Sequence, residues 1–228
     1  VWQGPENNIC DSLNIQKRNE VLIGWSKDGF HWNRENKAAF LSVSEDFHAW
    51  NAGNVQSTAG NPLIVGDSLY FYVSGRYNSK PKHDSNFATG LATLRRDGFV
   101  SMRSEKKEGY VIVRTLIPKD GKYLFVNADV KGTLAVEVLD ENGRPLEEFT
   151  KKDCIQIKNT DKTKLMISWK KHSELESLKE RMIRLKFYLN KADLYSFWIS
   201  SWQTGESCGY TSGGGPGLSD KGIDVPVN

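Results

Sequence analysis

The sequence predicts an all-β protein, and three observations support that prediction. Its 228 residues include 7 Trp, 8 Tyr and 10 Phe beside 20 Gly and only 3 Met, a mixture typical of half-buried strands joined by tight turns. Apolar and polar side chains alternate over residues 134–139 and 183–187, which indicates strands with one solvated face. Asp-Gly and Asn-Gly pairs separate the apolar runs, as in β-hairpins.

Composition excludes several classes of function. The chain has 31 Lys and Arg against 28 Asp and Glu, and a formal charge of +3 does not imply a nucleic-acid partner. Its apolar stretches are far shorter than the ~20 residues that a membrane span requires, so we expect no membrane-spanning segment. No glycine-rich phosphate-binding string is present, and no cofactor is expected.

Histidine and cysteine spacing predicts no metal site. The 4 His lack HxxxH or HxH spacing, and Cys10, Cys154 and Cys208 form neither a CxxC pair nor a Cys/His cluster. Three cysteines leave at least one thiol unpaired. A disulfide would require an oxidising compartment, and the sequence leaves the disulfide state open.

Short strands and tight turns are expected in the first part of the chain. The predicted strands are 21–25, 54–58, 62–65, 68–74 and 89–94. Gly66-Asp67 joins two of these strands as a hairpin. Asp28-Gly29 and Asp97-Gly98 each follow a strand and precede an aromatic residue, which suggests a repeated hairpin unit.

A charged, glycine-terminated connector at residues 105–109 marks a predicted domain boundary. We expect one domain over 1–105, a second over 106–200, and an extended glycine-rich tail over 201–228. The second domain contains seven predicted strands, which favours an antiparallel β-sandwich: 110–116, 123–127, 133–139, 154–157, 164–169, 182–189 and 194–199. Turns are predicted at 119–121, 140–143 and 159–161, and a short helix at 173–179 with Leu175 and Leu178 on one side.

Four strings in the first domain and two in the second carry a resemblance to a known family. They are 24–32, which contains Ser26-x-Asp28-Gly29-x-x-Trp32, then 50–57, 69–76, 89–99, 136–143 and 194–198. In order and content they resemble the later blades and C-terminal sandwich of five-bladed β-propeller glycoside hydrolases of the invertase, levanase and arabinanase superfamily, near family 32. The resemblance implies about two propeller blades in residues 1–105, followed by the sandwich.

The sequence departs from that family in its catalytic motifs. Family 32 enzymes carry an Asp in Trp-x-Asn-Asp-Pro-Asn-Gly, an Asp in Arg-Asp-Pro and a Glu in Glu-Cys, and none of these strings occurs here. On the family layout the catalytic pair would lie upstream of Val1. We therefore expect the missing N-terminal propeller half, or another chain, to complete the propeller. Two blades alone would expose apolar residues, namely Leu22, Ile23, Val55, Leu69 and Phe71.

The resemblance also implies which residues would contact a sugar. Trp50, Asn51, Asn54 and Gln56 match an inner strand along the substrate funnel, where amide groups can donate to and accept from hydroxyls. The alternative is that these amides cap loops. Arg76 is a further substrate-binding candidate, although an exposed strand-end arginine is an equal alternative.

Other candidates are assigned more conservative roles. Glu45 is the weak candidate for a catalytic acid, together with Asp46, although a solvated loop is the favoured interpretation. Asp28 is expected to close its own turn rather than contact substrate. Trp25 and Trp32 are expected to pack within a blade.

Two hypotheses about function follow. The first is a glycoside hydrolase of fructosidase or arabinanase type, in which this chain supplies the funnel wall and sandwich but lacks the catalytic pair. The second is a non-catalytic carbohydrate-binding or structural β-protein. Both predict carbohydrate as the partner, and we expect the protein to be secreted or periplasmic.

Overall fold

A computed structural model describes residues 18–26, 28–46, 48–57, 60, 62–78 and 85–207. Within these ranges the chain is built from β-strands, with one short 3-10 helix and no α-helix. No helix among the described residues is long and apolar enough to cross a bilayer. The chain divides into two compact units, one formed by Val1–Leu63 with Tyr70–Thr93 and the other by Ile64–Leu69 with Leu94–Asn228.

Small antiparallel sheets begin the fold. The strands are β1 (Trp25–Ser26), β2 (Trp32–Asn33), β3 (Asn54–Ser57), β4 (Leu63–Val65), β5 (Ser68–Asn78) and β6 (Ser85–Arg95). β1 pairs with β2, while β5 pairs with β3, β4 and β6 and is therefore the central strand of its sheet. The turn at Gly66-Asp67, with a positive φ of 57° at Gly66, closes the predicted hairpin of β4 and β5. The strand predicted at 21–25 is shorter than expected, since Val21 forms only an isolated bridge with Leu41.

A curled five-stranded sheet dominates the second unit. Its strands are β7 (Met102–Ser104), β8 (Gly109–Ile112), β9 (Tyr123–Asp140), β10 (Ile157–Ile167) and β11 (Ile183–Ser200). The order is β10-β9-β11-β7, β8 also pairs with β11, and all of these pairings are antiparallel. The all-β prediction is confirmed, with small antiparallel sheets as in a partial propeller followed by an antiparallel sandwich.

β11 doubles back on itself. The ring centroids of Phe187 and Phe197 are 5.1 Å apart, whereas ten residues of a straight strand would span roughly 33 Å. The pairing of β11 with β9 shifts register between Asn190 and Ala192, where one residue of β11 faces two residues of β9, which is a bulge in β9 at the bend. Gly132 belongs to this bulge, and the close approach of the Asn190 carbonyl leaves no room for a side chain there.

The bend places both ends of β9 in one hydrophobic core. Leu124 and Val126 from one end and Leu134 and Val136 from the other are fully buried in the same cluster. Burial of each such side chain contributes roughly 1.5–3 kcal/mol relative to exposure. Leu175 and Leu178, also buried in this cluster, confirm that these two leucines share a side, although the helix is a single 3-10 turn (Glu176–Leu178). The remaining fully buried members include Val130, Val138, Ile167, Ile183, Leu185 and Phe187.

The prediction of seven separate sandwich strands is wrong, because some of the predicted strands are parts of one longer strand. Residues 123–127 and 133–139 belong to the continuous β9, and 182–189 and 194–199 belong to β11. The two strands stay paired through the bend, with one register shift between Asn190 and Ala192 and a second between Leu194 and Ser196. The turn predicted at 159–161 lies instead within β10, at a register shift in its pairing with β9, and Asn159 there has a φ of 44°.

The main segment of the second unit begins at Leu94, whereas the sequence predicts a boundary at 105. β7 pairs with β11, and Asp193 accepts hydrogen bonds from Arg103 Nε and Ser101 Oγ, both at 2.7 Å. Arg95 donates to Asn127 Oδ1 at 2.5 Å, forms an ion pair with Asp161 and lies over a tyrosine ring. These contacts bind residues 94–104 to the curled sheet. Of the predicted tail, 208–228 lies outside the described residues.

Substitution of Gly132 by alanine tests the bend. A Cβ atom there would lie 2.3 Å from the Asn190 carbonyl oxygen, so the backbone of the bend must shift. We expect Gly132→Ala to lower the free energy of unfolding by about 1–3 kcal/mol in urea titrations. Gly109→Ala is the matched control, because its nearest neighbouring atom lies 4.0 Å away. Equal unfolding midpoints for the two variants would contradict this account of the bend.

Candidate functional site

Strand alternation divides the predicted site residues between two faces of the β5 sheet. Asn54 pairs with Arg76 and Gln56 with Ser74, while Val55 pairs with Gly75. Directly paired residues project to the same side of an antiparallel sheet, and successive residues project to opposite sides. We call the side with Asn54, Gln56, Ser74 and Arg76 the Arg76 face, and the side with Val55, Val73 and Gly75 the Trp50 face.

Trp50 covers the Trp50 face, away from the other candidates. A Cβ atom on Gly75 would lie 2.2 Å from its Cε3, and one on Gly90 of β6 would lie 2.3 Å from its Cη2. The indole therefore rests on the bare backbone of two strands, and Val55 and Val73 on the same face are each 3% exposed. Although Trp50 is 38% exposed, its position is that of a packing residue.

The Arg76 face brings together an arginine, an amide and an aromatic ring. The Arg76 guanidinium carbon lies 4.6 Å from the centroid of Phe87, a cation–π contact that joins β5 to β6. Phe87 is 65% exposed, and the Gln56 and Arg76 side chains are also exposed. The contact places Phe87 on this face, and Leu91, four residues further along β6 and 49% exposed, shares it.

Asn54 holds an unsatisfied acceptor beside Arg76. Its Oδ1 is buried and has no hydrogen-bond donor among the described residues. Buried carbonyl oxygens of this kind are rare because leaving one unpaired costs about 1–3 kcal/mol. Asn54 therefore contributes to this face a buried carbonyl oxygen that has no donor among the described residues.

These groups suit a neutral, hydroxyl-rich ligand. A guanidinium offers five donors, and each amide offers two donors and an acceptor, which together match hydroxyl groups that both donate and accept. The Phe87 ring supplies an apolar surface alongside them, the usual combination in small-molecule sites. The face lacks a described carboxylate positioned for proton transfer.

Asn51 and Glu45 have local roles instead. Asn51 Nδ2 donates to the Ser42 carbonyl oxygen at 3.4 Å, so this amide ties a loop, as in the alternative interpretation. Glu45 is 85% exposed and forms an ion pair with Arg18 at 2.9 Å. Enzymes hold a proton-donating carboxyl group in enclosed, apolar surroundings, and Glu45 has the opposite environment.

Asp28 closes its own turn, as predicted. Asp28 Oδ1 accepts from the backbone N–H of Phe30 and of His31 at 2.9 and 2.8 Å, and Oδ2 contacts His31 Nδ1 at 2.5 Å. The backbone N–H of His31, its imidazole and the Phe30 N–H favour the ionised carboxylate and hold the pKa of Asp28 far below its ordinary value. Trp32 Nε1 donates to the Gly29 carbonyl oxygen at 3.1 Å and completes the turn.

The prediction that Trp25 and Trp32 pack within a blade is wrong for the described residues, since they are 43% and 60% exposed. The two-stranded β1–β2 ribbon is too small to bury an indole on either side.

The prediction that apolar residues elsewhere in the first domain are exposed is also partly wrong. Val55 and Leu69 are 3% and 0% exposed, and only Leu22, at 52%, is strongly exposed as expected.

No cluster of three or more His, Cys, Asp or Glu that could hold a metal occurs within the described ranges. Cys154 is a buried free thiol that accepts from the Val136 N–H at 3.2 Å, and burial raises its pKa. Cys10 and Cys208 lie outside the described residues.

Sequence reasoning missed Phe87 and the glycine pair beneath Trp50. The usable signal was spacing: Phe87, Thr89 and Leu91 alternate with Ala88 and Gly90, which predicts that the larger side chains share one face. Gly75 and Gly90, inside two otherwise regular strands, indicate a close approach by a bulky group. Neither signal by itself identifies Trp50 as that group.

Comparisons with family models, with curated proteins and with solved structures found no match to this chain.

Gly75→Ala tests the packing of Trp50. The added methyl group would overlap the indole and lie 2.9 Å from the Trp50 carbonyl oxygen, so the ring must move off the sheet. We expect a loss of about 1–3 kcal/mol in the free energy of unfolding and a changed NMR signal of the Trp50 indole N–H. Gly60→Ala, where the added atom has open space, is the control. An unchanged indole signal in Gly75→Ala would refute this packing.

The pH dependence of the β1–β2 turn follows from the lowered pKa of Asp28. Because the folded-state pKa is below the unfolded one, the carboxylate stabilises the turn fully above about pH 4, and this contribution disappears as the pH falls through the folded-state value. We expect carboxyl NMR titration of Asp28 to show protonation only below the ordinary aspartate range. In His31→Ala the pKa should rise but stay low, because the backbone donors remain. Titration at an ordinary aspartate pKa would contradict the hydrogen-bonding scheme.

Proposed function

We propose that this chain binds carbohydrate through the Arg76 face, as the funnel wall of a propeller glycoside hydrolase. The observation that carries the proposal is the exposed grouping of Gln56, Arg76 and Phe87 on one sheet face. Asn54, whose Oδ1 has no donor among the described residues, pairs with Arg76 on the same face.

The hydrolase part of the proposal rests on the sequence resemblance. The strings at 24–32, 50–57, 69–76 and 89–99 stand in the order of the later propeller blades, and the sandwich follows them. Retaining glycoside hydrolysis needs two carboxyl groups across the scissile bond. Since Glu45 is exposed and paired with Arg18, this chain contributes binding, and the catalytic carboxylates belong to the part that completes the propeller. Such a role fits a secreted or periplasmic protein.

Non-catalytic carbohydrate binding is the second candidate, and it is supported by the lack of a described carboxylate positioned for proton transfer on the Arg76 face. It uses the same face and the same residues, so binding measurements test both candidates. The two candidate functions differ in what happens to the bound carbohydrate. The protein encoded by the complete reading frame would cleave it in the first case and leave it intact in the second. An upstream Asp-bearing first-blade motif would favour the enzyme.

Binding of fructan and arabinan oligosaccharides tests the face directly. We expect calorimetric titration to show that Arg76→Ala weakens binding about tenfold, because a hydrogen bond from a charged group is lost. Gln56→Ala should weaken binding by a smaller factor, since its amide is neutral. Trp50→Phe should leave the affinity unchanged, because Trp50 covers the opposite face.

Arg114→Ala is the control for loss of positive charge, since Arg114 is an exposed arginine of the second unit. Equal loss of affinity in Arg114→Ala and Arg76→Ala would attribute the effect to net charge and refute the proposed face. So would a strong loss in Trp50→Phe with none in Arg76→Ala. Absence of binding to every oligosaccharide on a broad glycan array would refute carbohydrate recognition by this chain.

A further inference from the structure

Two adjoining depressions surround Trp32 in the first unit, separate from the Arg76 face. One has a volume of about 440 Å³ and the other about 640 Å³. Trp32, Arg34 and Lys37 line both of them, so the indole and the two cations border the same open surface. The proposed carbohydrate face uses none of these residues.

The indole of Trp32 is both exposed and held in place. It is 60% exposed, yet its Nε1 donates to the Gly29 carbonyl oxygen at 3.1 Å. Gly29 belongs to the turn that Asp28 closes with two backbone hydrogen bonds. An aromatic ring that is fixed before a ligand arrives loses little conformational entropy on binding.

Arg34 is also held in position, and no ion pair joins it to another described residue. A Cβ atom on Gly24 would lie 3.0 Å from Arg34 Cγ and 3.7 Å from its Cδ, so the aliphatic stem packs on the Gly24 backbone. Neither Arg34 nor Lys37 takes part in the ion pairs formed among the described residues. Glu35 is the one acidic residue on the described lining.

We propose that the Trp32 depressions bind an acidic sugar unit, one that carries a carboxylate or a sulfate group. The apolar face of a sugar ring would stack on the fixed indole, and its anionic group would meet Arg34 and Lys37. A guanidinium fork matches the geometry of a planar carboxylate and forms two parallel hydrogen bonds with it, whereas Lys37 acts as a point charge. The ring and the two cations together select for an acidic sugar over a neutral sugar or a simple anion.

Calorimetric titration of the chain with tetragalacturonate tests the proposal, with a sulfated oligosaccharide as a second arm that distinguishes the two anionic groups. We expect Arg34→Gln to weaken binding about tenfold, as the loss of a charge-assisted hydrogen-bond pair does. Trp32→Ala should weaken it similarly, whereas Trp32→Phe, which retains an aromatic face, should keep most of the affinity. Tighter binding in either arm identifies the preferred anion.

Three comparisons separate recognition of an acidic sugar from simpler explanations. Methyl-esterified tetragalacturonate lacks the charge and should bind at least tenfold more weakly, and equal binding would overturn the role of Arg34. A short polyglutamate carries charge without a sugar ring, and equal binding of it would overturn the role of Trp32. Arg76→Ala should leave tetragalacturonate binding unchanged, so this site and the proposed carbohydrate face can fail independently.

Self-association is the remaining alternative occupant of this surface. Sedimentation of the wild-type chain over a wide concentration range should show no association that Trp32→Ala abolishes. Association of that kind would assign the surface to a second copy of the chain and overturn the proposal, as would the absence of binding to both acidic oligosaccharides.

Discussion

The two-residue period of the β-strand is the constraint on which both the core and the candidate site depend. Along β5 it sends Val73 and Gly75 to one side and Ser74 and Arg76 to the other. The first side is covered by an indole that fits only because two glycines lie beneath it. The second side stays exposed. Only side chains at alternate positions project to this side, and these are the ones that can contact a ligand together.

In the second unit, the same alternation would leave one face of the long paired strands β9 and β11 exposed to solvent if they were straight. The bend in these strands buries that face. Bending of β11 brings Phe187 and Phe197 together, so a sheet of only five strands encloses its own core. Gly132, in the bulge of β9 at this bend, permits the close approach of strands that the fold requires. Hydrogen bonds of Arg95 with Asn127 and of Arg103 with Asp193 join the preceding segment to that sheet.

Local chemistry made parts of this structure predictable. The β4–β5 hairpin follows from Gly66-Asp67, and the self-closing turn follows from the carboxylate of Asp28, because both depend on neighbours in sequence. The site was predictable only in part. Asn54, Gln56 and Arg76 share a face as an inner strand requires, but Trp50 lies before β3, where strand period cannot assign its side.

Features that depend on pairing with residues distant in sequence could not be predicted from local sequence patterns. Asn159-Thr160-Asp161 has the composition of a turn, yet these residues belong to β10, which stays paired with β9 across a register shift. The sequence pattern predicts two strands in place of β9 and two in place of β11, because a glycine or a charged residue interrupts the apolar pattern at the bend. The exposure of Trp32 follows from the small size of the β1–β2 ribbon, which no pattern within residues 24–32 reveals.

The central claim, that polar recognition belongs to the Arg76 face and not to the Trp50 face, is tested most directly by side-chain NMR. The chain, labelled with ¹⁵N, would be titrated with a fructan or arabinan oligosaccharide while the side-chain N–H signals are followed. The account predicts that the amide signals of Asn54 and Gln56 and the Nε–H signal of Arg76 shift together, whereas the Trp50 indole N–H does not. A shift of the Trp50 indole with the Gln56 and Arg76 signals unchanged would contradict it.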